Sequence, residues 1–77
     1  MNILIVSLLY NKFYIKQNVN CIPEINSRIC HSIIFNNSEH YITSRVDDVI
    51  YYPDKKMLKE FTFTDNITDI DAVVIIN

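Results

Sequence analysis

Cys21, Cys30, His31 and His40 are the only cysteines and histidines in the chain, and they are spaced nine, one and nine residues apart. Four nitrogen and sulfur donors are the set that zinc takes. The spacing lacks a C-x-x-C knuckle, and adjacent Cys30 and His31 diverge on a strand or stand roughly 100° apart on a helix. No metal site and no cofactor are expected from this set. Two reduced, buried cysteines acting as small hydrophobes are favoured over a Cys21–Cys30 disulfide. A Cys30–His31 nucleophile pair fails because sequence neighbours rarely bring thiolate and imidazole within hydrogen-bond reach, and no oxyanion donor is identifiable.

The carboxylates give no catalytic set either. Asp54-x-Lys56, with Pro23-Glu24 upstream, has the residue types of a nuclease's metal ligands and lysine. Presenting them needs a larger mixed sheet, and Pro53-Asp54-Lys55-Lys56 is already accounted for as a type I turn. Asp65, Asp69 and Asp71 lack the central glycine and terminal glutamate of a calcium loop and are expected to be solvated turn residues. The chain contains no glycine at all. Phosphate-cradling Gly-rich loops are thereby excluded, and every positive φ is expected to fall on Asn or Asp. The expectation is a protein that is not an enzyme.

Net charge is −2 over 77 residues. Residues 1–40 carry Lys12, Lys16 and Arg28 against Glu24 and Glu39; residues 41–77 carry four basic against seven acidic residues. No basic face is present to displace counterions from duplex DNA. The acidic half suits a basic protein surface. The opening MNILIVSLLY lacks a basic leader and a small-residue cleavage site, and its apolar run is too short to span a bilayer. It is expected to be a buried strand, with no membrane association and a cytoplasmic location in a host cell. Isoleucine occurs 14 times and asparagine 9 times, a bias typical of AT-rich genomes such as those of phages and other mobile elements.

The elements that must position these residues are expected in one domain covering residues 1–77. Residues 3–10 form a buried strand and Asn11-Lys12 a tight turn. The next strand, to residue 22, has Phe13, Ile15, Val19 and Cys21 on one side and a wet face of Tyr14, Lys16, Asn18 and Asn20. From Pro23 the period changes: Ile22, Ile25, Ile29, Cys30 and Ile33 lie at helical offsets, so a helix is expected from Pro23 to Asn37. Three short strands follow in EHYITSR, DVIYY and MLKEFTFT, then a polar connection DNITDID and a final buried strand AVVIIN. The fold class is α+β, a small mostly antiparallel sheet (ββα, then three to four strands) covered by one helix.

Residues 46–61, VDDVIYYPDKKMLKEF, are then a hairpin whose tip collects charge and aromatic rings. Asp47, Asp48, Tyr51, Tyr52 and Asp54 are the candidate partner-binding residues, because tyrosine offers large contact area at low entropic cost. The expected function is a small non-enzymatic binding protein. Its sharpest form is a phage- or mobile-element-encoded inhibitor that blocks a basic nucleic-acid or ligand site on a host defence protein, an anti-CRISPR-like role. The alternatives are an assembly protein that completes a sheet in a homo-oligomer, with the first strand at an edge, and a ligand- or RNA-binding module that stacks bases on exposed tyrosines.

Overall fold

The computed structural model describes residues 1–62, 67 and 69–77. Among the described residues, five strands and one helix run in the order β1 (Ile3–Ser7), β2 (Lys12–Lys16), β3 (Arg28–Phe35), β4 (Ser38–Tyr51), α1 (Lys55–Thr62) and β5 (Ala72–Ile76). The strands form one curled sheet in the order β2-β1-β5-β4-β3. The class is α+β. The sheet is mixed: β1 runs parallel to β5, and the other three pairings are antiparallel.

The two ends of the chain supply the centre. β1 and β5 read as apolar, β-branched runs, the composition of strands buried on both faces. They pair from Ile3↔Ala72 to Ser7↔Ile76, and all of these residues except Ile75 are buried. Ile3, Ile5, Ala72, Val74 and Ile76 face one way with Val46, and Tyr14, Val19, Ile22 and Ile29 pack over them. Leu4, Val6 and Val73 face the other way against Leu58 and Ile70, with Ile50 and Phe61 alongside. Helix α1 thus covers one face, and the curl of the sheet with the 17–27 connection covers the other.

Three expectations are corrected. The helix at 23–37 is a turn followed by β3. Ile29, His31 and Ile33 point inward and Cys30, Ser32 and Ile34 outward, so a period of two overrides helical offsets that only five residues supported. β-branched isoleucines favour that outcome. EHYITSR and DVIYY are one strand, β4, bent by a bulge between Val46 and Asp48. MLKEFTFT is helical through Thr62, while residues 63–64 lie outside the described residues. Asp54 is the reason: its Oδ1 accepts from the Met57 N–H at 2.8 Å and its carbonyl from the Leu58 N–H at 3.1 Å. That is an N-cap, and Leu58, Phe61 and Thr62 then share the core-facing side. The connection DNITDID lies partly outside the described residues.

Positive φ falls on Asn11, Asn18, Asn26, Asn36, Asn37 and Asp69, as the lack of glycine requires, and also on Tyr52. Asn36 (φ 51°) and Asn37 (φ 62°) form the two-residue loop between Phe35 and Ser38. Two successive left-handed residues match the twist of the strands they join. Replacing Asn37 with Val should therefore cost about 1–2 kcal/mol, whereas Asn37→Gly should be neutral or stabilising. Urea unfolding of the two variants checks this; equal loss in both would mean the turn does not carry left-handed backbone.

Candidate functional site

The bulge and the N-cap divide the five predicted partner-binding residues. Asp47, in the bulge, is half-buried. It pairs with Arg45 (Nε–Oδ1 3.1 Å) and accepts from the Asn77 side-chain amide. Asp54 is committed to capping α1. Asp48 is exposed, and its Oδ1 accepts from the Val49 N–H at 2.8 Å. Tyr51 ends β4 and Tyr52 follows it; the two residues are 59% and 83% exposed. Asp48 pairs with Ile75 on the helix side of the sheet and Tyr51 with Ala72 on the other. The five residues therefore do not make one patch. Tyr51 and Tyr52 stay together at the end of β4, and Asp48 lies on the opposite face of the same strand.

A second constellation was not expected. His31 is 7% exposed. Its Nδ1 meets the Tyr14 hydroxyl and its Nε2 the Ser44 hydroxyl at 2.6 Å. A neutral imidazole satisfies both contacts, one nitrogen accepting and the other donating. The Tyr10 ring meets His31 edge-on at 6.1 Å, Lys12 Nζ lies 5.2 Å from the Tyr14 ring centroid, and the same amine donates to the Ser32 carbonyl at 2.5 Å. Tyr14 and Lys12 come from edge strand β2 and His31 from the opposite edge strand β3. The cluster ties the two edges of the curled sheet together. Tyr14 accordingly points inward and Phe13 and Ile15 outward, the reverse of the expected wet and dry faces. The only sequence signal was Ser44 and His31 falling on the inward positions of an alternating pair, and that pairing is legible only if 28–35 is read as a strand.

Burial lowers the His31 pKa first, and the Lys12 charge lowers it further. Burial raises that of the Tyr14 hydroxyl. Both shifts favour the uncharged forms. Ser44, though hydrogen-bonded to the imidazole, is buried, so no substrate reaches its hydroxyl in this conformation.

A concavity of about 420 Å³ lies on the other face of the sheet, beside the end of α1. Val6, Phe13 and Phe61 give it an apolar floor, and Asn11 and Glu60 stand at its rim. Cys21 and Cys30 are both exposed and unbonded, correcting the expectation that they are buried. Among the described residues no three His, Cys, Asp or Glu side chains gather as a metal site. Among the described residues no helix is long and apolar enough to cross a membrane. Comparisons of the chain with family models, curated proteins and solved structures gave no match.

The His31 shift has a consequence for stability. The unfolded chain takes up this proton at about pH 6.5, while the folded chain resists it to lower pH. Between those values the unfolded state holds more protons, so stability falls as pH drops below about 6.5. The urea midpoint should be lower near pH 5.5 than near pH 7.5, and the difference should shrink in His31→Gln. A midpoint that is flat or higher at the acid value would contradict a neutral, buried His31.

Proposed function

We propose that the chain is a small non-enzymatic binding protein whose contact surface centres on Tyr51 and Tyr52; Asp48, on the opposite face of β4, adds only to the acidic field that draws in a basic partner. The observation that carries this is Tyr52. Its backbone sits at φ 53°, a conformation that costs a bulky residue about 1–2 kcal/mol, while the residue is 83% exposed. The backbone is held there because its N–H donates to the Asp71 carbonyl at 2.8 Å. Asparagine carries nearly every other left-handed position in this chain. An exposed aromatic held in a strained conformation gains nothing for the fold, and strain of this kind concentrates at functional positions.

Support for a non-enzymatic role comes from the placement of the polar groups. The shifted histidine is buried and already hydrogen-bonded on one face, and the apolar cleft opens on the other. The two do not combine into a site. The oligomer alternative was tied to β1 at a sheet edge, and β1 lies between β2 and β5. The narrower reading, a mobile-element inhibitor that blocks a basic nucleic-acid or ligand site on a host defence protein, draws its support from small size, acidic charge and AT-rich composition.

Affinity capture from host lysate, followed by binding kinetics on the captured partner, tests the surface. Tyr52→Gly should leave the unfolding free energy within about 1 kcal/mol of the native value, because glycine accepts the backbone angle. It should nonetheless weaken binding by ≥2 kcal/mol, as expected for an anchor ring. Asp48→Asn should slow association and reduce its salt dependence. Unchanged binding in both variants would remove this surface from the account.

A further inference from the structure

We propose that Arg28 and Arg45, with Thr43, form a binding site for a phosphate group on the outer face of the β3–β4 hairpin. This is independent of the tyrosine surface at the far end of β4. Register places Arg28 directly opposite Arg45 and Cys30 opposite Thr43. All three proposed ligands are exposed, on the side away from Ser44 and His31. Together with Asn77 they line an open depression of about 300 Å³. Like charges directly opposite one another weaken a strand pair, and an anion seated between them reverses the sign of that interaction.

The arrangement around Arg45 is partly built. Its Nε donates to Asp47 Oδ1 at 3.1 Å, and the other Asp47 oxygen accepts from the Asn77 amide. Arg45 and Asn77 also exchange backbone hydrogen bonds of 2.9 and 3.0 Å. Asp47 therefore fixes the guanidinium through Nε and leaves its terminal nitrogens for another acceptor. Arg28 has no ion pair among the described residues. Two guanidinium groups face the depression, with the Asp47 carboxylate on one side of it.

Phosphate fits better than a second carboxylate. The donors approach from two strands and include a hydroxyl, so they do not share one plane. A tetrahedral group with three acceptor oxygens meets such a set, and arginine forks bind it bidentately. A duplex is disfavoured by the net charge of −2, so the ligand class is a phosphorylated small molecule or inorganic phosphate.

The test is a ¹⁵N–¹H titration of the full chain with inorganic phosphate, with a nucleoside monophosphate and with acetate, at matched ionic strength. Both phosphates should give saturable shifts centred on residues 28, 43 and 45, and acetate should not saturate over the same range. If only the nucleoside monophosphate saturates, the source is a nucleotide. Arg28→Met and Arg45→Met should each weaken the dissociation constant at least tenfold, Arg28→Lys less so, with the remaining spectrum showing an intact fold. Shifts that do not saturate, that spread over Lys12, Lys16, Lys55 and Lys56, or that persist in Arg28→Met would overturn the assignment.

Discussion

The parallel pairing of β1 with β5 is the constraint on which the rest of the molecule depends. Their residues, buried on both faces apart from half-buried Ile75, come from the two ends of a 77-residue chain. A strand dry on both sides needs cover on both sides, and a domain of this size has few elements with which to provide it. α1 covers Leu4, Val6 and Val73; the curl of β3–β4 and the 17–27 connection cover Ile3, Ile5, Val74 and Ile76. The loop that β1 and β5 close is nearly the whole chain, so its entropy must be met before the central contacts form. Folding should accordingly be slow for so small a protein.

Curling a five-stranded sheet around one face brings its edges together, and the edges are joined by side chains rather than by a ladder. Lys12, Tyr14, His31, Ser32 and Ser44 make that seam. Among the described residues no buried side-chain nitrogen or oxygen lacks a partner, which matters because each orphaned group would cost about 1–3 kcal/mol in a fold with little margin. The seam also blunts edge strands that could otherwise recruit other chains, as do Lys12 and Lys16 on β2. The long β3–β4 hairpin projects beyond this body, consistent with the elongated 35 × 26 × 20 Å envelope.

Much of the centre was legible in the sequence. Ile3–Ser7 and Ala72–Ile76 are apolar runs with one plausible fate. The missing glycines correctly placed positive φ on asparagine. Between them, short-range patterns competed. Ile22, Ile25, Ile29 and Ile33 satisfy a helical offset, but Asn36-Asn37 is better two-residue hairpin chemistry than a helix stop, and β4 supplies a partner for all of Arg28–Phe35. Asp54 read as a turn residue; Leu58 and Phe61, at helical spacing, made it a cap instead by packing with Val6 and Val73. At the candidate site, strand alternation put only one of Tyr51 and Tyr52 outward; both are exposed because β4 ends at Tyr51 and Tyr52 turns into left-handed backbone. The diversion of Asp47 and Asp54 into structural bonds was not legible either, since it depends on a bulge and on a helix start.

The molecule thus separates its tasks by region. The chain ends build the spine, a polar seam sets the curl, and two exposed features stand apart from both: Tyr52 just past the end of β4, and Arg28 opposite Arg45 nearer its middle. This division rests on the spine being the last part to open. Native-state hydrogen exchange measures that directly. The slowest amides should lie in Ile3–Ser7 and Ala72–Ile76, with an opening free energy equal to that of global unfolding, and residues 28–35 should show intermediate protection. Fast exchange throughout Ala72–Ile76, or the strongest protection running continuously across residues 23–37, would contradict the account.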